Sequence, residues 1–198
     1  MIDNQKWLKV RADVYNKYQK LPKSYETLKL HIFPADRGWI DMIFSVAEQE
    51  YKIHLSCYPE PFLPIKKWLE DTIMRVDDID NTLVVDCDCS WETIFHFEHL
   101  TDSGESIGIF YLYDSDEDSC LSAYLRLSDL IRLIYRGILD YAIEGESTEE
   151  FREQWIEYVE ADKYVDDKLS SAFRSEIIEK FLELDNRYTT RWAFTRNS

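Results

Sequence analysis

Glycine, proline and cysteine are all scarce in this 198-residue chain, which holds five glycines, five prolines and four cysteines. With 45% apolar residues and so few glycines and prolines, disorder and low complexity are disfavoured, because the chain can bury enough surface to offset the entropy of ordering. Four cysteines are too few for the disulfide framework of a small secreted domain. We therefore expect one folded domain spanning residues 1–198.

Long apolar runs are missing as well. No stretch of about 18 uncharged apolar residues occurs, so the sequence predicts no membrane-spanning helix. The first ten residues contain Asp3, Lys6 and Lys9 and lack the apolar core of a signal peptide. These features predict a cytoplasmic protein that does not bind membranes.

Basic residues are few: the chain has 23 basic and 39 acidic residues and a net charge of −16. Proteins that bind nucleic acids neutralise phosphates with clustered lysine and arginine, and anionic lipids attract the same side chains. A chain this acidic is repelled by both polyanions. We expect no direct binding to nucleic acid.

Sequence motifs of catalysis are absent. The chain has no G-x-S-x-G elbow and no glycine-rich phosphate loop, and Cys57 and Cys120 lie at strand ends, as small buried apolar residues do. We therefore predict no catalytic residue and no cofactor.

One group of metal-capable side chains falls in neighbouring segments: Cys87, Cys89, His96 and His99. Their C-x-C and H-x-x-H spacings are not those of zinc sites, and residues three apart on a strand point to opposite faces. His96 should share a face with Glu98, and His99 should lie on the other. We interpret them as ordinary strand residues and predict no metal site.

Alternating and helical apolar spacings predict an α+β fold with a largely antiparallel sheet of six to seven strands in meander order. An N-terminal helix (1–23) precedes a region that is mainly sheet (24–127) and contains a helix at about 64–75. The region 128–185 is predicted to be helical, with Ser128 as an N-cap and a capping box at Ser147. It contains three helices, and the aromatic tail 186–198 should pack back on the domain.

The densest negative charge lies in residues 144–167, the acidic segment, which holds ten acidic residues against Arg152 and Lys163. Carboxylates raise the rate of encounter with a basic partner, and interleaved aromatic rings serve as anchors. The segment therefore predicts a module that binds a basic protein, such as an immunity or antitoxin protein that inhibits a nuclease toxin. The predicted partner-binding residues are Glu149, Glu150, Glu153, Trp155, Glu157, Tyr158, Glu160 and Asp162.

Two alternatives remain open. Trp91, His96, Glu98 and His99 could belong to a small-molecule enzyme or ligand sensor with a pocket between sheet and helices. In the other alternative the protein is a homo-oligomer, in which the basic first helix of one chain meets the acidic helices of another.

Overall fold

The computed structural model of the chain describes residues 4–20, 24–56, 61–75, 81–86, 92–100, 106–114, 119–144, 154 and 172–186. Seven strands and four helical segments lie in these ranges. The strands are β1 (Leu28–Ile32), β2 (Trp39–Val46), β3 (Gln49–Ser56), β4 (Thr82–Asp86), β5 (Glu92–Leu100), β6 (Ile107–Asp114) and β7 (Ser119–Arg126). The helices are α1 (Asn4–Lys20), α2 (Phe62–Met74), α3 (127–144) and α4 (Glu176–Asn186).

The strands form two antiparallel sheets, each with its strands in sequence order. Sheet A contains β1, β2 and β3, and sheet B contains β4, β5, β6 and β7. The α+β class, the antiparallel pairing and the meander order predicted from the sequence are confirmed, with the seven strands divided between two sheets by α2.

Sheet A buries one face only. Ile40, Met42 and Phe44 of β2 are buried, and the residues between them are only partly buried, which is the period of two read from the sequence. A tight turn at residues 36–39 leads into β2, with Asp36 and Trp39 exchanging backbone hydrogen bonds of 2.9 Å. Arg37 and Gly38 have φ of 49° and 81°, a conformation for which glycine suits the second position.

Sheet B is buried on both faces. Phe95, Phe97 and Phe110 face the main core, which also contains the inward residues of sheet A. Tyr111 and Tyr113 face the opposite side and belong to a second cluster with residues of α1.

The second cluster fixes α1 on sheet B. Trp7 is buried against Tyr111 and Tyr113, with ring centroids 5.8 and 5.6 Å apart, and Tyr18 is buried near the other end of the helix. α1 therefore covers the face of sheet B that the main core does not use.

α2, α3 and α4 close the main core. Trp68 of α2 packs edge to face on Phe95, and Phe173, just before α4, stacks on Tyr135 of α3. Gly137 lets α3 approach β1 closely, since a Cβ atom there would lie 3.3 Å from a methyl carbon of Leu30.

α3 is one helix with two widened turns. α-helical turns at Leu127–Ile131 and Gly137–Leu139 alternate with π-helical turns at Arg132–Arg136 and Asp140–Glu144. The junction residues keep right-handed helical dihedral angles, so the chain does not break.

The beginning of α3 differs from the sequence prediction, and two other predicted features lie outside the described residues. The prediction that Ser128 caps α3 is wrong: the cap position is Arg126, which makes no side-chain cap bond, and Ser128 lies inside the first turn. The strand β7 runs directly into the helix and leaves no extended residue at position 128. The predicted helix beginning at Ser147 and the tail from position 187 lie outside the described residues. None of the described helices is long and apolar enough to cross a membrane.

Candidate functional site

The eight predicted partner-binding residues, from Glu149 to Asp162, all lie outside the described residues. Two members of the acidic segment are described, namely Glu144, at the end of α3, and Gln154. Their contacts show where this segment meets the rest of the fold.

Gln154 is bonded to the turn that precedes β2. The backbone N–H of Gly38 donates to the Gln154 carbonyl oxygen at 2.7 Å, and the N–H of Arg37 lies 3.5 Å from the Gln154 side-chain oxygen. These two contacts hold one point of the acidic segment against sheet A.

The chain on either side of residues 145–171 is also fixed. Arg174 pairs with Glu144, which joins the beginning of α4 to the end of α3. Lys66 of α2 donates to the carbonyl oxygen of Ala172 at 2.6 Å, and Ser175 donates to Glu70 at 2.6 Å. The Glu144–Arg174 pair therefore joins the described residues on either side of 145–171.

A polar network connects α3 and α4. The N–H of Ser175 donates to the Tyr135 hydroxyl at 2.9 Å, and that hydroxyl donates to Glu179 at 3.1 Å. Arg136 donates to the other oxygen of Glu179 at 2.5 Å. Burial raises the pKa of Tyr135, so its hydroxyl stays protonated and available as a donor at neutral pH. We interpret these contacts as structural, because they join α3 to the beginning of the α4 region.

Charge on the described part of the fold is nearly balanced. These residues include 19 acidic and 16 basic side chains, a net charge of −3, whereas the whole chain carries −16. Many are paired: Asp41 with Lys52, Asp71 with Lys67, Glu98 with Arg11 and Asp185 with Arg132. The surplus carboxylates therefore belong to the other segments, of which the acidic segment is the longest.

The outward face of sheet A carries an aromatic and charged group next to the Gln154 contact. The ring of Trp39 stacks on His54 with centroids 4.7 Å apart and planes 9° from parallel. Asp41 bonds both His54 and Lys52, the latter at 2.6 Å. Partial burial raises the pKa of Asp41, but these hydrogen bonds outweigh it and lower the pKa below its usual value. Asp41 is ionised at neutral pH and fixes the orientation of the His54 ring.

A second polar group lies buried between α1 and sheet B. Arg11 donates to Glu98 at 3.1 Å, and the Tyr111 hydroxyl donates to the same carboxylate oxygen at 3.0 Å. Burial, together with the neighbouring Glu98 charge, raises the pKa of Tyr111. Glu98 is thus a partly buried acceptor held by two donors, one from the helix and one from the sheet.

His96 lies beside this group and is fully buried. Its Nδ1 lies 3.2 Å from the carbonyl oxygen of Asn81, which fixes the proton on Nδ1, and Nε2 has no hydrogen-bond partner among the described residues. Burial and, to a smaller extent, the adjacent Arg11 charge lower the pKa of His96 to about 4. His96 is therefore neutral at physiological pH.

His99 points to the opposite face, where its Nε2 lies 3.0 Å from the carbonyl oxygen of Thr72 in α2. The predicted divergence of His96 and His99 is confirmed. Cys87, Cys89 and Trp91 lie outside the described residues, and within the described ranges no group of three or more His, Cys, Asp or Glu residues is arranged to hold a metal ion.

Cys120 lacks the environment of a nucleophile. Burial raises the pKa of its thiol to about 11, so the thiolate is scarce at neutral pH. Tyr18 and Glu26 lie nearby and are structural, since Glu26 accepts hydrogen bonds from the Tyr18 hydroxyl at 2.6 Å and from the Tyr124 N–H at 2.8 Å. Cys57 lies outside the described residues.

The sequence analysis did not identify Gln154, Arg11 or Tyr111 as site residues. No local pattern marks them, because each acts through a contact with a distant part of the chain. Trp39 was detectable: it alternates with buried Ile40 and Met42, which places it on the outward face with Asp41.

Comparison of the chain with protein-family models, with curated proteins and with solved structures finds no match. The proposals below depend on the geometry and the charges alone.

Proposed function

We propose that this protein is a binding module for a basic protein partner, with the acidic segment as its main contact. One observation carries the proposal: the carbonyl oxygen of Gln154, in the middle of the segment, accepts a hydrogen bond of 2.7 Å from Gly38 in the turn that precedes β2. A segment that is attached to the fold at one point stays near that point, so its net charge acts from one part of the molecule. An untethered tail would spread the same charges over a large volume and bind less selectively.

The charge balance of the rest of the fold supports this assignment. Because the described residues are close to neutral and many of them are paired, most of the net charge lies outside them, and residues 145–171, Gln154 apart, are the longest such stretch, with nine acidic and three basic residues. A concentrated field steers an oppositely charged protein toward one surface and accelerates association.

The finer proposal is that the partner is a nucleic-acid-cleaving toxin and that this protein inhibits it. Nucleases hold phosphates with clusters of lysine and arginine, and a carboxylate surface can occupy the same positions. Inhibition then follows from direct competition with the nucleic acid. The module needs no catalytic residue or cofactor for this role.

A pair of charge-matched variants tests the general proposal. The segment variant carries Glu149→Gln, Glu150→Gln, Glu153→Gln and Glu157→Gln. The scaffold variant removes the same charge from exposed residues elsewhere, through Asp13→Asn, Glu48→Gln, Glu176→Gln and Glu183→Gln. The probe is a fluorescein-labelled decalysine peptide, and its anisotropy is measured at 50 and 300 mM NaCl.

At 50 mM NaCl the segment variant should bind decalysine about tenfold more weakly than the wild type, and the scaffold variant should stay within about twofold of it. Equal losses in the two variants would mean that only net charge matters, and would overturn the proposal. With native lysate, a basic protein retained by the wild type and the scaffold variant, but lost from the segment variant, is the expected partner. If that protein is a nuclease, one equivalent of wild-type protein should abolish its cleavage of nucleic acid.

A further inference from the structure

The first helix covers sheet B without taking part in the main core. None of the described residues of the main core belongs to α1, whereas Trp7 and Tyr18 of α1 are buried in the second cluster. The two clusters have no residue in common. Elements with a separate set of contacts can open without global unfolding, so α1 can leave sheet B while the main core stays intact.

The N-terminal half of α1 lies over a fully buried histidine. Trp7 packs edge to face on His96 with ring centroids 5.6 Å apart, and the Tyr111 ring of β6 lies 5.6 Å from the same histidine. Arg11, one turn further along α1, pairs with Glu98, which follows His96 by two residues on β5. The Nε2 atom of His96 has no hydrogen-bond partner among the described residues, and the residue is 0% exposed. A proton on Nε2 would create a buried donor without an acceptor and a second cation beside Arg11, so α1 packs on the neutral ring.

The groups that face His96 oppose its charged form overall. Burial disfavours the imidazolium most, and the Arg11 charge from α1 adds to this effect. The carbonyl oxygen of Asn81, before β4, and the Glu98 carboxylate favour the charged ring, and His99 of β5 disfavours it. Together they hold the pKa of His96 at about 4, whereas an exposed histidine has a pKa of about 6.5. Release of α1 exposes Nε2 to water and removes Arg11, so the released state binds a proton more tightly.

The C-terminal end of α1 is held by other groups. The Tyr18 hydroxyl donates to Glu26 at 2.6 Å and lies 3.1 Å from the carbonyl oxygen of Ser122 in β7. Burial, together with the Glu26 carboxylate, raises the pKa of Tyr18, so its hydroxyl stays protonated. This anchor contains no histidine, and the protonation of His96 therefore acts on the N-terminal half of the helix.

We propose that residues 4–14 of α1 are an acid-released cover of sheet B, which stays in place while His96 is neutral and detaches when the His96 ring binds a proton. Detachment uncovers the apolar face formed by Ile109, Tyr111 and Tyr113, which are buried when α1 is in place. The contribution of the neutral ring is complete above pH 6.5 and is lost as the pH falls toward 4. This device does not involve the acidic segment and goes beyond the binding function proposed above.

The test is hydrogen exchange of the full-length protein at pH 7.0 and 5.0, in 0 to 1 M urea, with each rate corrected for the intrinsic rate at that pH. Opening constants of the backbone amides of residues 8–14 are compared with those of Met42 and Phe44 in β2, the central strand of sheet A. Four proteins are measured: the wild type, His96→Phe, His96→Gln and His31→Phe. His31 is the matched control because it is an exposed histidine on β1, and His96→Gln provides the readout if His96→Phe does not fold.

In the wild type, residues 8–14 should open more readily than β2 and with a weaker dependence on urea, because α1 leaves without the main core. Their opening constant should be about 20-fold larger at pH 5.0 than at pH 7.0, which is the ratio for a group whose pKa is about 4 when covered and about 6.5 when released. His31→Phe should keep this increase, and both His96 variants should reduce it to less than about threefold.

Three results would overturn the inference. The first is an opening of residues 8–14 with the same constant and urea dependence as β2, since α1 would then leave only with the whole fold. The second is a pH effect that is absent from the wild type or persists in the His96 variants. The third is an equal loss of the pH effect in His31→Phe, since the loss would then not be specific to His96.

Discussion

Arg11 of α1 and Glu98 of β5 are 87 residues apart in the sequence, and their side chains form an ion pair of 3.1 Å beneath the first helix. Together with Trp7 and Tyr18, this pair fixes α1 on sheet B. Since Tyr111 donates to the same Glu98 oxygen, helix and sheet share one acceptor.

Removal of Arg11 should destabilise the fold. The Arg11→Met variant leaves the Glu98 charge partly buried with a single donor, and we expect a loss of about 1–3 kcal/mol in the free energy of unfolding. Urea denaturation measures it. Lys9→Met, on the exposed side of the same helix, should change stability by less than about 0.5 kcal/mol.

The double variant Arg11→Met, Glu98→Gln should recover part of the loss, and simple additivity of the two single changes would show that the residues are not coupled.

His96 should make stability depend on pH. Its pKa is about 4 in the folded protein and about 6.5 in the unfolded chain, so the unfolded state binds more protons between these values. The contribution of the neutral histidine is complete above pH 6.5 and is lost as the pH falls to 4, by on the order of 3 kcal/mol in total. Urea midpoints at pH 7.0, 5.5 and 4.5 measure the slope. In His96→Phe the slope should be smaller, because Trp68 still donates to the Asn81 carbonyl oxygen and no titrating ring remains. An unchanged slope would assign the effect to other groups.

Two glycines should respond to the same substitution by very different amounts. A Cβ atom on Gly108 would lie 2.3 Å from the Glu98 carbonyl oxygen and 2.6 Å from the Phe97 ring, both on β5, an inner strand of sheet B. Gly108→Ala should cost about 3 kcal/mol or prevent folding. At Gly137 the nearest atom is the end of the Leu30 side chain at 3.3 Å, so Gly137→Ala should stay within about 1 kcal/mol of the wild type, helped by the higher helix propensity of alanine. Melting temperatures compare the two, and similar losses would contradict the packing described here.

Ala47 occupies a left-handed conformation, with φ of 51°, in the turn between β2 and β3. An L-residue with a Cβ atom is disfavoured there, and glycine is not, so Ala47→Gly should stabilise the protein by about 0.5–1 kcal/mol. Ala12→Gly, on the exposed side of α1, is the control and should destabilise by about 1 kcal/mol. Loss of stability in both variants would show that the turn is not strained.

Local patterns in the sequence predicted the elements of this fold. The alternation of Met42 and Phe44 with Asp41, Ile43 and Ser45 predicted a strand, and the spacing of Trp7, Val14 and Tyr18 predicted α1. The division into two sheets has no such signal, because a strand's pattern shows which face is buried and not which strand is its neighbour. The insertion of α2 between β3 and β4 decides that division.

The sequence predicted which residues make up the candidate site but not how that segment is attached to the fold. The acidic segment is visible as a run of carboxylates, but its attachment depends on a bond between the backbone groups of Gly38 and Gln154. Every residue carries those groups, so side-chain identity cannot reveal the contact. The Arg11–Glu98 pair was hidden for another reason: both residue types are common, and only the packing of α1 on sheet B brings these two together.

Hydrogen–deuterium exchange of the full-length protein, with and without decaarginine, tests the central claim most directly. If the acidic segment forms the binding surface, the peptide should slow exchange in residues 144–167. The other acid-rich stretch, residues 76–125, contains no lysine or arginine and is the competing surface. Slowed exchange confined to that stretch, or no slowing anywhere, would contradict the account.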